Sequence, residues 1–377
     1  MRIYLDNNAT TAIHPDVLST LEGALRDTFG NASSIHREGQ AARRLIEHAR
    51  ESVAHLVGAT ARDVVFTSGG TESNNAAIFG AVSPSERSHI VTSQIEHPSV
   101  AEAFRELERR GHEVTWLAPS RSGEVAAASV IEALRDDTRL VAVMLANNET
   151  GVVQPLAEIG AACRARGVHL HVDAVQAAGK IPIRVDDLGC DTLALSAHKL
   201  HAPKGIGALY VRRGLSLGAL LHGGAQERRR RAGTENVPLA AAFGVAAALP
   251  SAAAQMESLR DAFESAVRAL PFAITVNGAA ARRLPNTSNI TFHRADGEGI
   301  VIALDLSGVA VSTGSACSSG RVEPSPVLLA MGLSPEDARS TVRFSLSRFT
   351  TAQEMTRVAE LLRELVPRCA KGSLTGA

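Results

Sequence analysis

The chain has 377 residues, which is enough for roughly two or three domains and for a sizeable buried core. Its 39 lysines and arginines balance 39 aspartates and glutamates, so the net charge at pH 7 is zero. This balance argues against a protein that binds nucleic acid or an anionic membrane through its overall charge. Aromatic residues make up only 3% of the chain, so the core must be aliphatic, and a base-stacking surface for single-stranded nucleic acid is not expected.

The cysteines and the N-terminus indicate a reduced, intracellular environment. Cys163, Cys190, Cys317 and Cys369 lie far apart, without the paired spacing of a disulfide framework or a structural zinc site. The first residues, MRIYLDNNATT, lack the charged and apolar regions of a signal peptide. No run of eighteen apolar residues is present. We therefore predict a cytoplasmic protein with no membrane segment.

Short β-rich runs alternate with helix-length segments between residues 63 and 211. Two of these helices are followed by a glycine in the position typical of a helix C-terminus, Gly111 and Gly167. Alternation of this kind predicts a largely parallel sheet with helices on both faces. About ten residues separate the last two runs, too few for a helical crossover, so one antiparallel strand is expected. The predicted strands are Val64–Thr67, His89–Thr92, Glu113–Leu117, Leu140–Leu145, Val168–Val172, Thr192–Ser196 and Gly207–Val211.

The flanking regions complete the predicted architecture. Apolar residues recur at helical spacing between Ala42 and Val57, and an Ala-rich helix is predicted over Pro238–Ala248, just before Pro250. The remainder alternates helices with strands and ends in a tail from Cys369 onward. We predict a large domain over residues 13–252 and a small α/β domain over residues 253–377 together with residues 1–12. The later strands are predicted at Thr287–Phe292, Val309–Ser312 and Val342–Leu346.

Polar residues cluster where the predicted strands end, which is the edge at which open parallel sheets bind ligands. The segment SGGTESNN follows the first strand and places Gly70 and Thr71 at the start of a helix. Free backbone N–H groups at a helix start attract an anion such as a phosphate. The same turn is equally typical of a helix cap without a ligand.

Two further strand ends suggest a cofactor. Asp173 and Gln176 follow one strand, and Ser196, His198 and Lys199 follow the next. A lysine amine can bind an aldehyde cofactor as a Schiff base, and a carboxylate can keep the ring nitrogen of pyridoxal phosphate protonated. The ordered combination of phosphate turn, carboxylate and lysine favours pyridoxal phosphate over an isolated core ion pair.

Other polar residues allow two interpretations each. His97, in EHPS, is either catalytic or structural, and Asn148, in NNETG, is either an amide donor or a turn former. Arg343 could hold a substrate carboxylate, although a surface salt bridge is the commoner role of such a residue. The Arg228–Arg231 run indicates a solvated face or an anion site at a subunit interface rather than nucleic-acid binding.

Cys317 lies in VSTGSACSSGRVEPS, a segment rich in glycine and serine without apolar periodicity. Structural cysteines usually lie on apolar faces, so this thiol is expected to be exposed on a loop. It is either a reactive cysteine or an incidental one. Cys163 and Cys190 have the surroundings of packing residues.

Taken together, the motifs resemble the cysteine desulfurases, which are class V pyridoxal-phosphate enzymes of fold type I. The resemblance covers nearly the whole chain, and the long SACSS segment is similar to the NifS/IscS group rather than the SufS group. It implies an α/β fold with a mostly parallel seven-stranded sheet and a small C-terminal domain. The motifs are YLDNNATT, FGNASSIHREGQ, FTSGGTESNN, EHPS, NNETGVVQP, HVDAVQAAGK, SAHKLHAPKGIGALY, RAGTEN, STGSACSS and VRFSLSRFTT.

The resemblance implies a role for each matching residue. Lys199 binds pyridoxal 5′-phosphate covalently and moves protons at the substrate Cα. Asp173 pairs with the ring nitrogen, Gln176 hydrogen-bonds the ring hydroxyl, and His97 stacks on the ring and can act as an acid or base. The remaining cofactor-binding residues are Gly70, Thr71, Asn148, Ser196 and His198, with Thr234 supplied to the phosphate of the other subunit of a homodimer.

The same resemblance implies the reaction and its partners. Arg343 and Asn148 bind the carboxylate of L-cysteine, which is converted to L-alanine while Cys317 becomes a persulfide. The sulfur then passes to an iron–sulfur scaffold protein or another acceptor, and Cys317 could ligate an iron–sulfur cluster on the way. A selenocysteine lyase or another class V enzyme, and a catalytically silent sulfur-carrier or scaffold-binding protein, remain the alternatives.

Overall fold

Seven strands form the larger sheet of the computed structural model, which describes residues 2–83, 85–313 and 323–370. The strand order is β2-β8-β7-β6-β5-β3-β4, and β8 runs antiparallel to both of its neighbours while the other pairs are parallel. The predicted antiparallel strand is thus confirmed. The strands are β2 Val64–Thr67, β3 His89–Ser93, β4 Glu113–Leu117, β5 Thr138–Ala142, β6 His169–Asp173, β7 Thr192–Ser196 and β8 Gly207–Val211.

Helices cover both faces of this sheet. Successive residues of β3 point to opposite sides: Ile90 lies in one apolar cluster with Phe104, and Val91 lies in another with Phe243. Strands buried on both faces read as continuous apolar runs, which is why they were recognisable in the sequence. The helices are α1 Pro15–Asp27, α2 Arg37–Leu56, α3 Gly70–Ala81, α4 Pro98–Arg109, α5 Ala127–Ala133, α6 Leu156–Arg166, α7 Val185–Leu188 and α8 Val237–Ala247.

A second apolar core surrounds a smaller antiparallel sheet of order β12-β10-β9. The N-terminal strand β1 pairs in parallel with β11, and Ile3 and Leu5 join this second core. The boundary at residue 252 remains a prediction. The elements are β1 Ile3–Tyr4, α9 Ala253–Arg268, β9 Ile274–Val276, β10 Thr287–Phe292, α10 Gly297–Leu306, β11 Val309–Ala310, α11 Pro326–Ala330, α12 Pro335–Arg339, β12 Thr341–Ser345 and α13 Ala352–Leu365.

The structure differs from the sequence prediction in a few elements. Strand β5 ends at Ala142, before the predicted end at Leu145. The short strands β1 and β9 were missed because two or three residues carry no readable alternation. Cys369 does not lie in a frayed tail: it closes a 3₁₀ turn, is half-buried, and its carbonyl accepts a bond of 2.9 Å from the N–H of Asp296.

No helix among the described residues is long and apolar enough to cross a membrane.

Candidate active site

A cavity of about 270 Å³ lies at the carboxyl ends of β6 and β7, against the start of α3. All the predicted cofactor residues except Thr234 line it, although they come from five separate segments of the chain. The lining residues are Ala9, Gly70, Thr71, Asn74, His97, Ser99, Met144, Ala146, Asn148, Asp173, Val175, Gln176, Ser196, His198 and Lys199.

One end of the cavity suits an anion. Gly70 opens the 12-residue helix α3, whose first N–H groups have no partners within the helix. A Cβ atom on Gly70 would lie 2.8 Å from Cγ2 of Val175 and 3.4 Å from Cβ of Ser196, so the helix start approaches the strand ends closely. Burial, together with nearby Lys199, lowers the pKa of His198 to about 4, so its ring is neutral at pH 7.

Asp173 is the last residue of β6 and is buried. Its Oδ2 accepts a bond of 2.7 Å from Nδ2 of Asn74, and its Oδ1 accepts one of 3.0 Å from the N–H of Val175. These two donors fix the carboxylate at the cavity wall while leaving lone pairs for a further donor.

Lys199 ends the short 3₁₀ turn that follows β7. Its amine donates a bond of 2.8 Å to the carbonyl of Ala9 and a second bond to that of Asn8. Burial and the charge of Arg343 lower its pKa to about 8, against the opposing effect of Asp173. About one tenth of the amine is therefore neutral near pH 7, far more than for an ordinary lysine, and the neutral amine is the form that reacts with an aldehyde.

His97 caps the N-terminus of α4, where Pro98 occupies the first helical position. Its Nδ1 accepts a bond of 3.1 Å from the N–H of Ser99 and lies 2.8 Å from the hydroxyl of the same residue. The ring is exposed at the cavity wall, yet the surrounding protein desolvates it enough to lower its pKa.

Gln176 accepts a hydrogen bond from Lys180, a residue to which the sequence analysis assigned no role. The buried amine of Lys180 donates a bond of 3.0 Å to Oε1 of Gln176, whose Nε2 donates to the carbonyl of Asn8 at 2.9 Å. Burial lowers the pKa of Lys180 well below its usual range. The four-residue spacing of Gln176 and Lys180 was the only sequence signal.

Arg343 is buried on β12 rather than exposed at the surface. Its Nη2 pairs with Oδ1 of Asp6 at 2.7 Å, and its Nη1 donates to the carbonyl of Asn148 at 3.0 Å. Within the described part of the chain, its Nε has no hydrogen-bond partner. The structure thus places Arg343 beside the cavity residue Asn148.

Thr234 is exposed and lies outside the cavity lining. Its segment is tied to the first turn of α3, because Arg231 forms two bonds, of 2.9 and 3.2 Å, with the carboxylate of Glu72. The arginine run is therefore not a uniform solvated face: Arg231 is paired, and Arg228 donates to the carbonyl of Arg62 at 3.1 Å.

Cys317 lies outside the described residues, but both flanks of its segment are placed. Ser312 and Arg343 exchange backbone bonds of 2.6 and 3.2 Å. The hydroxyl of Ser325 lies 2.5 Å from Oε2 of the buried Glu149, which directly follows Asn148. Both flanks therefore meet the chain next to groups that border the cavity.

No group of three or more potential metal ligands occurs within the described ranges. Asn74 and Ser99, which lie in the motifs TESNN and EHPS, were not assigned roles from sequence, although both line the cavity.

Comparison with known proteins gives a consistent result. The profile of the Aminotransferase class-V family matches residues 3–358. A cysteine desulfurase of Nostoc sp. is 47% identical over 97% of this chain and 93% of its own. A cysteine desulfurase IscS of Dictyoglomus turgidum is 42% identical over 97% and 95%.

Solved structures show the same likeness. A NifS-like protein superposes with a TM-score of 0.89 at 32% identity, covering 98% of this chain and all of its own. The structure described as SspA in complex with cysteine superposes with a TM-score of 0.84 at 37% identity, covering 93% of this chain and all of its own.

Proposed function

The chain belongs to the aminotransferase class-V family and is a pyridoxal-phosphate-dependent cysteine desulfurase, and from that premise we propose which role each of its residues has in the reaction. The observation that carries the proposal is that one cavity brings together the amine of Lys199, the carboxylate of Asp173 and the start of α3. A catalytically silent carrier would have no need of this combination.

The donor set of the cavity fits pyridoxal 5′-phosphate. The N–H groups of Gly70 and Thr71, with the side chains of Ser196 and His198, form the anion end, and Lys199 supplies the amine for the aldehyde. The lone pairs left on Asp173 suit a protonated ring nitrogen. Gln176 presents its amide N–H to the ring hydroxyl because Lys180 occupies its oxygen.

When bound, the cofactor withdraws electrons from the substrate carbon. Lys199 holds and releases the proton at the substrate Cα, since a lowered pKa lets one amine do both near neutral pH. Arg343 and Asn148 hold the carboxylate of L-cysteine, since Nη1 of Arg343 lies 3.0 Å from the carbonyl of Asn148, which lines the cavity. The solved structure described as SspA in complex with cysteine supports this substrate.

Cys317 is the proposed sulfur acceptor. Its thiolate forms an S–S bond to the substrate sulfur while the substrate C–S bond breaks, and the carbon keeps that electron pair and takes a proton. The products are a persulfide on Cys317 and L-alanine, with no external oxidant or reductant. Support comes from the flanks of the segment, which meet the chain beside Arg343 and Glu149.

The other cysteines are poor nucleophiles. Burial raises the pKa of Cys163 and of Cys190 to about 12, and it raises the pKa of Cys369 as well. The thiolate form that attacks sulfur is therefore scarce at these three positions near pH 7.

A single variant pair tests the assignment. Cys317→Ser should retain the cofactor and its visible absorption but make essentially no alanine from L-cysteine, because an alcohol is a much weaker nucleophile toward sulfur. The matched control, Cys369→Ser, should behave like the wild type. Peptide mass spectrometry after L-cysteine addition without reductant should place the extra sulfur on Cys317. Normal turnover by Cys317→Ser, or the extra sulfur on Cys163, Cys190 or Cys369, would show that the nucleophile is misassigned.

The sulfur acceptor and the oligomeric state are the remaining parts of the proposal. We propose an iron–sulfur scaffold protein or another sulfur acceptor as the destination, in line with the relatives named IscS. We also propose a homodimer in which Thr234 reaches the phosphate of the other subunit, since Thr234 is exposed in its own chain. A cofactor-saturated, fully active monomer at assay dilution would contradict the dimer.

A further inference from the structure

Two residues without an assigned role, Asn74 and Ser99, connect Asp173 to His97. Nδ2 of Asn74 lies 2.7 Å from Oδ2 of Asp173 and 2.8 Å from the hydroxyl of Ser99. That hydroxyl lies 2.8 Å from Nδ1 of His97. Asn74 is almost fully buried and Ser99 is 9% exposed, so bulk water does not compete for the two contacts of Asn74. The third contact is part-buried, because it ends at the exposed ring of His97.

Two groups, one that can only accept and one that can only donate, determine the direction of every hydrogen bond between Asp173 and His97. At one end, the carboxylate of Asp173 can only accept, so Asn74 must face it with its NH₂ group. Both amide hydrogens of Asn74 are then used, one toward Asp173 and one toward Ser99. Oδ1 of Asn74 turns the other way and accepts from Nε2 of His171 at 2.9 Å, which fits the same orientation.

At the other end, the backbone N–H of Ser99 can only donate, and it donates to Nδ1 of His97 at 3.1 Å. Nδ1 therefore presents a lone pair and no proton. Because the hydroxyl of Ser99 accepts from Asn74, its own hydrogen is available for Nδ1 as a second donor. The ring proton of neutral His97 must then lie on Nε2, which has no hydrogen-bond partner in the described part of the chain.

We propose that Asn74 and Ser99 are positioning residues that lock His97 in the Nε2–H tautomer, so that His97 works at the cavity as a hydrogen-bond donor and not as a base. To act as a base through Nε2, the ring would have to move its proton to Nδ1. It would then lose the bond from the backbone N–H of Ser99 that caps the helix, and the hydroxyl of Ser99 would have to turn its own hydrogen away. Proton removal from the substrate carbon then belongs to Lys199. The proposal rests on the proposed function only in taking this cavity as the reaction site.

The charges around the ring are compatible with this lock. Asp173, at the end of β6, raises the pKa of His97, whereas desolvation and Lys199, which follows β7, lower it. His198 is the other titratable group that faces the ring. The net effect lowers the pKa of His97, so the ring is neutral near pH 7 and one of its two nitrogens carries the proton.

The test uses the holoenzyme labelled with ¹⁵N-histidine, in which two-bond ¹H–¹⁵N spectra report the tautomer of each ring. His97→Gln identifies the resonance. The wild type should show His97 as the Nε2–H form at about pH 7. Ser99→Ala removes one donor from Nδ1, so the titration midpoint of His97 should rise by about 0.5 to 1 pH unit. Ser99→Thr retains the hydroxyl and should keep the wild-type midpoint.

Asn74→Ala removes the residue that bonds both to Asp173 and to Ser99, so it affects the cofactor side and the His97 side together. It should raise the His97 midpoint and also weaken cofactor retention, because Asp173 loses a donor. Ser99→Ala should raise the midpoint with a smaller effect on cofactor retention, because Asn74 can still donate to Asp173. If Asn74→Ala does not fold, the Ser99 pair decides alone. An Nδ1–H ring in the wild type, or a Ser99→Ala protein with an unchanged midpoint, overturns the proposal.

The spectra need no turnover, so they separate this inference from the proposed function. An enzyme that shows the Nε2–H ring but makes no alanine from L-cysteine would contradict the proposed function alone. An enzyme that makes alanine but shows an Nδ1–H ring would contradict the lock alone.

Discussion

The cofactor cavity and the region around Arg343 are built in different ways. In the cavity, Asp173 and Lys199 lie at the ends of neighbouring strands of one sheet, and their polar atoms bond to Asn74, Val175 and Ala9. Arg343 lies instead on the smaller sheet, and it contacts Asp6, Asn148 and Ser312, which lie outside that sheet. The groups of the first region are positioned by the strand ends of the large sheet, whereas the position of Arg343 depends on how the small sheet lies against the large one.

This difference teaches how the two halves of the reaction are separated. Chemistry at the substrate carbon needs groups fixed to a fraction of an ångström, which strand ends provide. In the proposed mechanism, sulfur acceptance and substrate capture use Cys317 and Arg343, which belong to the part of the chain that follows the large sheet. Each prediction below perturbs one of the two regions while leaving the other intact.

The largest effect is expected for Lys199→Ala in the cavity. With the roles proposed for Lys199, the variant loses both the amine for the aldehyde and the group that moves the Cα proton, so alanine production should fall at least about 1000-fold. Covalent cofactor attachment, read from visible absorption, should disappear. Lys204→Ala, at an exposed position in the same segment, is the matched control and should be unaffected. Near-normal alanine production by Lys199→Ala would refute the assignment.

Arg343→Lys tests the second region. A lysine keeps the charge but loses the planar guanidinium and the second donor, so kcat/KM for L-cysteine should fall about 10- to 100-fold, mostly through KM. Cofactor absorption should stay unchanged because Arg343 does not line the cavity. Arg339→Lys, on an exposed residue, is the control. An unchanged KM would remove Arg343 from substrate binding.

The pH dependence of cofactor uptake tests the lowered pKa of Lys199 in the cavity. Because the pKa of Lys199 is lowered to about 8, the neutral amine grows as the pH rises and levels off above that value. The rate at which cofactor-free protein binds pyridoxal phosphate covalently should therefore rise about fivefold between about pH 7 and about pH 8. An ordinary lysine would give a tenfold rise per unit that continues beyond pH 9, and such a profile would contradict the lowered pKa.

Glu96→Gln should have the smallest effect, and it concerns stability. Burial raises the pKa of Glu96 to about 8; Ser93 and the N–H of Met144 both bond to Oε1, and Oε2 has no partner among the described residues. Above its ordinary pKa of 4.5, the unfolded chain releases this proton while the folded chain keeps it, so the free energy of unfolding falls as the pH rises toward 8.

The glutamine variant keeps the Oε1 acceptor and cannot ionise. Its Tm should match the wild type near pH 5 and exceed it by about 2–4 °C near pH 8, whereas Glu108→Gln on the exposed side of α4 should show no such trend. A Tm difference that does not grow with pH would show that Glu96 is ionised in the folded protein.

The sequence predicted most of the large sheet, including its antiparallel strand, because strands buried on both faces and glycine-ended helices leave strong local patterns. It also predicted which residues follow the strands, and nine of these proved to line one cavity. It did not predict β9, β1 or the bonding role of Lys180, since these depend on partners distant in the chain.

What the sequence alone determined is therefore the set of groups at the strand ends, such as Asp173 and Lys199, because strand order and the direction of a parallel sheet fix where those residues must lie. Only the tertiary structure decided the state of those groups. The lowered pKa of Lys199 and the burial of Arg343 against Asp6 arise from contacts between segments more than a hundred residues apart. The bond from Asn74 to Asp173 likewise spans 99 residues, and no local pattern can encode its length or direction.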